Sequence, residues 1–186
     1  MGFMTNYLFK LARLRRDLHR LREERGATDP ILIIAGIAIT LILLVGGSFA
    51  ISGFIANANN LNAKGDLDRI ATAQAAYLGT SDGYAPLRLN MPSGATTKTL
   101  LDGPISFTPT AGNPLIVNVY GSNGWAAVTK SASGEVFVRF SSSTKVYSLG
   151  SGSTFPTTLP AGYAAEADAL GATTWVTQAF NSMNGK

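Results

Sequence analysis

From Ile31 to Ala56 the chain carries aliphatic, aromatic and small residues and no charge. The uncharged run extends further, from Pro30 to Ala63, between Asp29 and Lys64. As a helix at about 1.5 Å per residue, Ile31–Ala56 reaches roughly 39 Å, more than a hydrocarbon core of about 30 Å. A helix on the surface of a soluble domain keeps a polar face, because only one side meets the core. The pattern therefore predicts a membrane-inserting segment, with a fully buried globular helix as the alternative. Asn57, Asn59, Asn60 and Asn62 mark the exit into water.

Beyond that exit the period changes. Over Lys64–Leu78, the residues Leu67, Ile70, Ala71, Gln74, Tyr77 and Leu78 recur at spacings of three and four, which predicts an amphipathic helix packed on a head. Unbroken from Pro30 to Leu78, such a helix is roughly 74 Å long, with Gly65 as a point where it can bend. The stretch 86–113 is rich in Pro, Gly, Ser and Thr and reads as a loop with one short strand at Ile105–Thr108. Strands are expected at Leu115–Tyr120, Trp125–Lys130, Glu135–Phe140 and Lys145–Leu149, the middle two forming a hairpin around Ser131-Ala132-Ser133-Gly134. Val136, Val138 and Phe140 alternate with Glu135, Phe137 and Arg139, so the former set should cover the amphipathic half of the long helix. Gly150–Ala161 reads as a linker. A C-terminal helix is expected within Tyr163–Met183, with Gly171 and Thr173-Thr174 as points where it can split.

The expected class is α+β: a long N-terminal helix on a small antiparallel sheet. In 186 residues there is room for one membrane segment and a head of about 105 residues from Asp82 onward, enough for its own core. Charge sharpens the picture at the N-terminus. Up to Gly26 the chain has seven basic and three acidic residues, and these account for the whole net charge of +4. The remainder is neutral, which argues against a nucleic-acid-binding head, since phosphate contacts need clustered Lys and Arg. Within Met1–Arg25, Leu11, Leu14, Leu18 and Leu21 share one helix face and arginines fill the other. This suits an anionic cytoplasmic leaflet, or alternatively a short coiled-coil or packing helix. Basic flanks stay in the cytoplasm, which places the residues after Ala56 outside.

At the junction of basic leader and apolar run stands Arg25-Gly26-Ala27. The run DLDRIATAQAAYLGTSDGYA then brings Ala75, Ala76, Tyr77, Asp82, Gly83 and Tyr84. On these features the region from Arg25 to Pro86 resembles the type IV pilin family, which includes the pseudopilins of type II secretion. The resemblance implies a pilin-like fold. It also implies cleavage after Gly26 by a membrane aspartyl prepilin peptidase, with Ala27 as a methylated new N-terminus. The expected division is then 1–26 cleaved leader, 27–56 hydrophobic membrane and filament-core helix, 57–80 amphipathic half, and 81–186 head. Where the family has a bulky first residue and a Glu at the fifth position, this chain has Ala27 and Ile31. Asp29 is the nearest carboxylate. It either neutralises the terminal amine of a neighbouring subunit or caps the helix with Pro30 in its first position, and one residue can do both. Gly36, Gly46, Gly47 and Gly53 allow close helix approach or local melting, or reflect ordinary glycine tolerance in a membrane helix.

No catalytic constellation stands out. The chain lacks cysteine, and its one histidine, His19, lies in the leader. Glu166 and Asp168 are too few for a calcium site of about six to eight oxygens and read as a solvated helix face. The expectation is a protein that is not an enzyme and holds no cofactor or metal. By the resemblance, its processing residues are Gly26 and Ala27, and its assembly residues are Asp29, Pro30, Ile31, Gly46 and Gly47. The implied role is a structural subunit of a type IV pilus-like surface filament, located first in the cell membrane and then on the cell surface. Its implied partners are its own copies, the prepilin peptidase, the assembly ATPase and platform, and the membrane before assembly. The alternatives are a minor pilin or pseudopilin of a secretion or DNA-uptake machine, and an uncleaved, signal-anchored surface-binding protein.

Overall fold

The computed structural model describes residues 29–92, 94, 107, 109, 110 and 112–186. The leader with Gly26 and Ala27, and the strand expected at Ile105–Thr108 apart from Phe107, lie outside the described residues. Helix α1 runs Pro30–Thr80 and is followed by five strands: β1 Leu87–Leu89, β2 Leu115–Val119, β3 Trp125–Lys130, β4 Val136–Phe140 and β5 Val146–Gly150. Helices α2, Tyr163–Leu170, and α3, Thr173–Met183, complete the chain. The class is α+β, with a long N-terminal helix and an antiparallel sheet, compatible with a pilin-like shape. Two compact units divide the chain, one ending at Ile51 and the other running Ser52–Lys186.

In the second unit the sheet is a meander in the order β1-β2-β3-β4-β5, antiparallel throughout. Short connections explain the order from β2 to β5, because neighbours in sequence pair before distant segments can, while β1 pairs with β2 across residues 90–114. Both sheet faces are covered. Leu87, Leu89, Leu115, Val117, Trp125, Ala127 and Phe137 pack with Ala63, Leu67, Ile70 and Ala73 of α1. The residues between them, Ile116, Ala126, Val128, Val136, Val138 and Phe140, pack with α2 and α3. The strand period of two separates these sets cleanly, so the layers are helix, sheet, helices. This corrects the expected orientation of β4. Val136, Val138 and Phe140 lie under the C-terminal helices, and Phe137, fully buried, is the β4 residue on the α1 face. Burial on both faces accounts for the near-continuous apolar runs of β2 to β4, which a one-sided sheet does not need.

β1 was not foreseen, since its three residues sit between Pro86 and Pro92 in a stretch read as loop. The expected break at Gly171 is present. Gly171 adopts the left-handed conformation at φ 65°, and Ala172 N–H reaches back to Ala167 O at 2.7 Å. That six-to-one bond is a Schellman ending, which closes α2 and lets α3 begin two residues later.

Candidate functional site

In the first unit the candidate surface is the helix itself. Ile31 is 72% exposed and Phe49 76%, and among the described residues none of the most apolar stretch is buried. The helix is long and apolar enough to cross a membrane. Its few polar side chains turn inward on the backbone. Thr40 Oγ1 donates to Gly36 O and Ser48 Oγ donates to Leu44 O, each at 2.7 Å. Hydroxyls satisfied one turn back leave no donor facing outward, which suits a hydrocarbon surrounding. A Cβ added at Gly36, Gly46, Gly47 or Gly53 would meet nothing within 4 Å. Packing among the described residues therefore does not require these glycines.

Asp29 sits one residue ahead of the helix. Its Oδ1 accepts the Ile31 N–H at 3.0 Å, and its backbone carbonyl accepts the Leu32 N–H at 2.9 Å and the Ile33 N–H at 3.2 Å. That is the N-cap arrangement, with Pro30 at the first helical position, where its missing N–H costs nothing. Ile31, one residue after Pro30, projects outward.

In the second unit α1 is fastened to the head by polar side chains as well as by its apolar stripe. Along one edge, Asn60, Lys64 and Asp68 meet Glu135, Phe137 and Arg139 in that order. Asn60 Nδ2 donates to Glu135 Oε2 at 2.5 Å, Lys64 Nζ lies 5.0 Å from the centre of the Phe137 ring, and Arg139 Nη1 pairs with Asp68. The match is geometric. Four helical residues rise about 6.0 Å and two strand residues about 6.7 Å, so three successive rungs stay in register. Ser131 and Ser133 also donate to Asn60 Oδ1, at 2.7 and 2.6 Å, which ties the β3–β4 turn to the same point.

Two further helix residues are buried and polar. Asp66, 1% exposed, accepts the Thr110 N–H at 3.0 and 3.1 Å and the Thr110 hydroxyl at 3.0 Å, with Arg69 Nη1 at 3.4 Å. Gln74, fully buried, pairs both ways with Ala85: the Ala85 N–H donates to Oε1 at 3.0 Å and Nε2 donates to Ala85 O at 2.5 Å. These residues hold both ends of the 85–110 stretch to the helix. Leu78, expected on the packed face, is instead 45% exposed. Asp66 was missed because its charge suggested the wet side, although its spacing to Ala63, Ile70 and Ala73 is that of the buried stripe.

Beneath α2 lies a tyrosine cluster. Tyr163 is fully buried, stacks edge-on to Phe140 and Tyr147, and its hydroxyl has no hydrogen-bond partner among the described residues. Burial, with the charge of Asp168 and then Tyr120 adding to it, pushes its phenol up to about 12. Burial also raises Tyr147, whose hydroxyl donates to Glu166 Oε1 at 2.7 Å, and Tyr120. Glu166 and Asp168 hold separate partners, since Asp168 Oδ1 accepts the Thr173 hydroxyl at 2.7 Å. Among the described residues no group of three or more His, Cys, Asp or Glu side chains converges on a metal-sized point. An open cavity of about 390 Å³ lies between β5 and the following loop, lined by Ser148, Leu149, Gly150, Pro156, Thr158, Leu159 and Pro160.

No protein-family model, curated protein or solved structure matches the chain.

Proposed function

We propose that this chain is a non-enzymatic structural subunit of a type IV pilus-like surface filament. It is held in the membrane by α1, trimmed after Gly26, and assembled by packing the apolar helices of successive copies. The observation that carries this reading is the uncharged, exposed surface of Ile31–Ile55, on which, among the described residues, no side chain or backbone atom occupies the space beside Gly36, Gly46, Gly47 or Gly53. A protein anchored once and for all needs about 20 apolar residues, and small residues along the rod are what close helix–helix contact requires. Subunits joined by such contacts in a head-to-tail manner do not close into a ring, so they extend as a helix of subunits. The partners are further copies, the prepilin peptidase, the assembly ATPase and platform, and the lipid bilayer before assembly.

N-terminal sequencing of surface-sheared material tests the proposal. A start at Ala27, in polymeric material that pellets as filaments, supports it. An intact leader in membrane-bound monomer points to a signal-anchored surface protein and overturns it. Ile31 in place of a carboxylate favours a second reading, a minor pilin or pseudopilin, and scarcity of the processed chain in sheared filaments would select it. Asp29→Asn separates the two roles of Asp29, because an amide can cap the helix but cannot neutralise an amine. Lost filaments with unchanged membrane levels assign it the charge role.

A further inference from the structure

Between β5 and α2 runs the segment Ser151–Ala161, GSTFPTTLP within it, with neither helix nor strand. Ser151, Ser153, Thr154, Thr157 and Thr158 are all exposed, and none of their hydroxyls has a hydrogen-bond partner among the described residues. Several other hydroxyls of the head are bonded. Ser148 bonds Glu135, Ser141 accepts the Trp125 N–H at 3.1 Å, Thr173 bonds Asp168, and Thr177 bonds the backbone one turn back.

The segment is nonetheless held in place. Phe155 packs edge-on to Phe180 with ring centres 5.5 Å apart, Leu159 packs on the same core, and Tyr163 N–H donates to Pro160 O at 3.1 Å. Phe155 and Leu159 each precede a proline, which biases them towards extended conformations. The result is a strap with apolar anchors turned in and free hydroxyls turned out. From Val146 to Ala165 the chain contains no charged residue. No Lys or Arg in this run can receive an anionic adduct, so a neutral group is the one the surface accommodates. Ser and Thr clustered with Pro in an accessible segment are the composition of an O-glycan acceptor.

We propose that the strap Ser151–Thr158 is an acceptor site for O-linked sugar. In the transfer, a Ser or Thr Oγ attacks the anomeric carbon of a diphosphate-activated sugar. The new Oγ–C bond forms as the C–O bond to phosphate breaks, the diphosphate leaves with the electron pair, and the hydroxyl proton passes to a base of the transferase. The inference does not depend on filament formation, since a monomeric surface protein would present the same strap.

The test uses full-length protein from the cells that make it. Tryptic cleavage after Lys145 releases Val146–Lys186, which contains all five hydroxyls. The expected result is a peptide heavier than its sequence by whole sugar residues, with fragmentation placing them on Ser151–Thr158. A full-length variant carrying Ala at all five positions should lose the increment and keep the wild-type denaturation midpoint. An unmodified wild-type peptide, an increment of phosphate, or sugar mapped elsewhere overturns the proposal. Because fragmentation of the wild-type peptide decides the site, a misfolded variant does not rescue it.

Discussion

Gln74 offers the sharpest test of how the head is held to the helix. Replacing it with Leu keeps the volume and adds apolar surface, so burial alone predicts a neutral or stabilising change. The hydrogen bonds predict the opposite. Ala85 is 1% exposed, and its N–H and C=O both end on the Gln74 amide. Leu would strand both groups away from water at about 1–3 kcal/mol each, against roughly 1–2 kcal/mol gained from the extra apolar burial. At mid-range values the net expectation is a loss of about 2.5 kcal/mol. The assay is urea denaturation of the purified full-length chain in detergent, followed by Trp fluorescence, since Trp125 lies in the same cluster. Gln74→Glu adds a diagnostic sign. A carboxylate can accept the Ala85 N–H but faces its carbonyl without a donor, whereas the protonated form donates. Burial raises the folded pKa above the unfolded one, so this variant should gain stability as pH falls and lose it as pH rises through the folded value. A Leu variant as stable as wild type, with unchanged denaturant slope, would show that the 85–110 stretch is not anchored through this amide.

Other consequences follow from single contacts. Tyr163→Phe removes a buried hydroxyl without a partner and should raise stability by about 1 kcal/mol near neutral pH, as measured by thermal or urea unfolding. In wild type the folded phenol, at about 12, lies above its ordinary value of 10.0, so stability is full below pH 10 and falls as pH rises towards 12. The loss should be on the order of 2 kcal/mol, and Tyr163→Phe should flatten that slope in alkaline denaturation. Gly124→Ala would place a Cβ 2.0 Å from Ser141 Oγ and 3.0 Å from Leu170 Cδ2 at a backbone φ of 145°, so destabilisation is expected in urea unfolding, and adding Ser141→Gly should not restore stability because the φ, the Leu170 contact and the lost Trp125 N–H acceptor remain. Asp29→Ala removes the cap on Ile31 and should cost about 1 kcal/mol of helix-start stability, visible as fraying in hydrogen exchange of the first turn.

How much of this was legible in the sequence depends on the kind of signal. A run without charge needs no partner to be recognised, so the apolar half of α1 was visible at once. β3 was placed residue for residue because turn residues bracket a β-branched and aromatic core on both sides. The assignment of faces failed at β4. Alternation tells which residues share a side, but not which helix covers that side. Both of its faces are apolar at the decisive positions, with Phe137 against Val136 and Val138. Polar clamps were the least legible. Asp66 and Gln74 are buried with their hydrogen bonds completed by Thr110, 44 residues on, and by Ala85, 11 residues on and beyond the end of the helix. β1 escaped for a related reason: three residues carry too little periodicity, and pairing with β2 makes them a strand.

The two units solve different stability problems, and the difference bears on function. The head closes its own accounts: each sheet face is covered, and helix residues from Asn60 to Gln74 meet it in register through apolar, ionic and amide contacts. The stretch Ile31–Ile51 has backbone hydrogen bonds, an N-cap and inward-bonded hydroxyls, yet among the described residues its side chains are all exposed. Fully burying each large aliphatic is worth roughly 1.5–3 kcal/mol, so the uncovered surface represents a driving force well above the net stability of a small domain. The helix is long and apolar enough for lipid to satisfy that surface. Under the proposed function, copies of the same helix satisfy it with the added close approach that Gly46 and Gly47 leave open. On that proposal, a head that holds its fold through internal contacts lets the rod change surroundings without the domain coming apart.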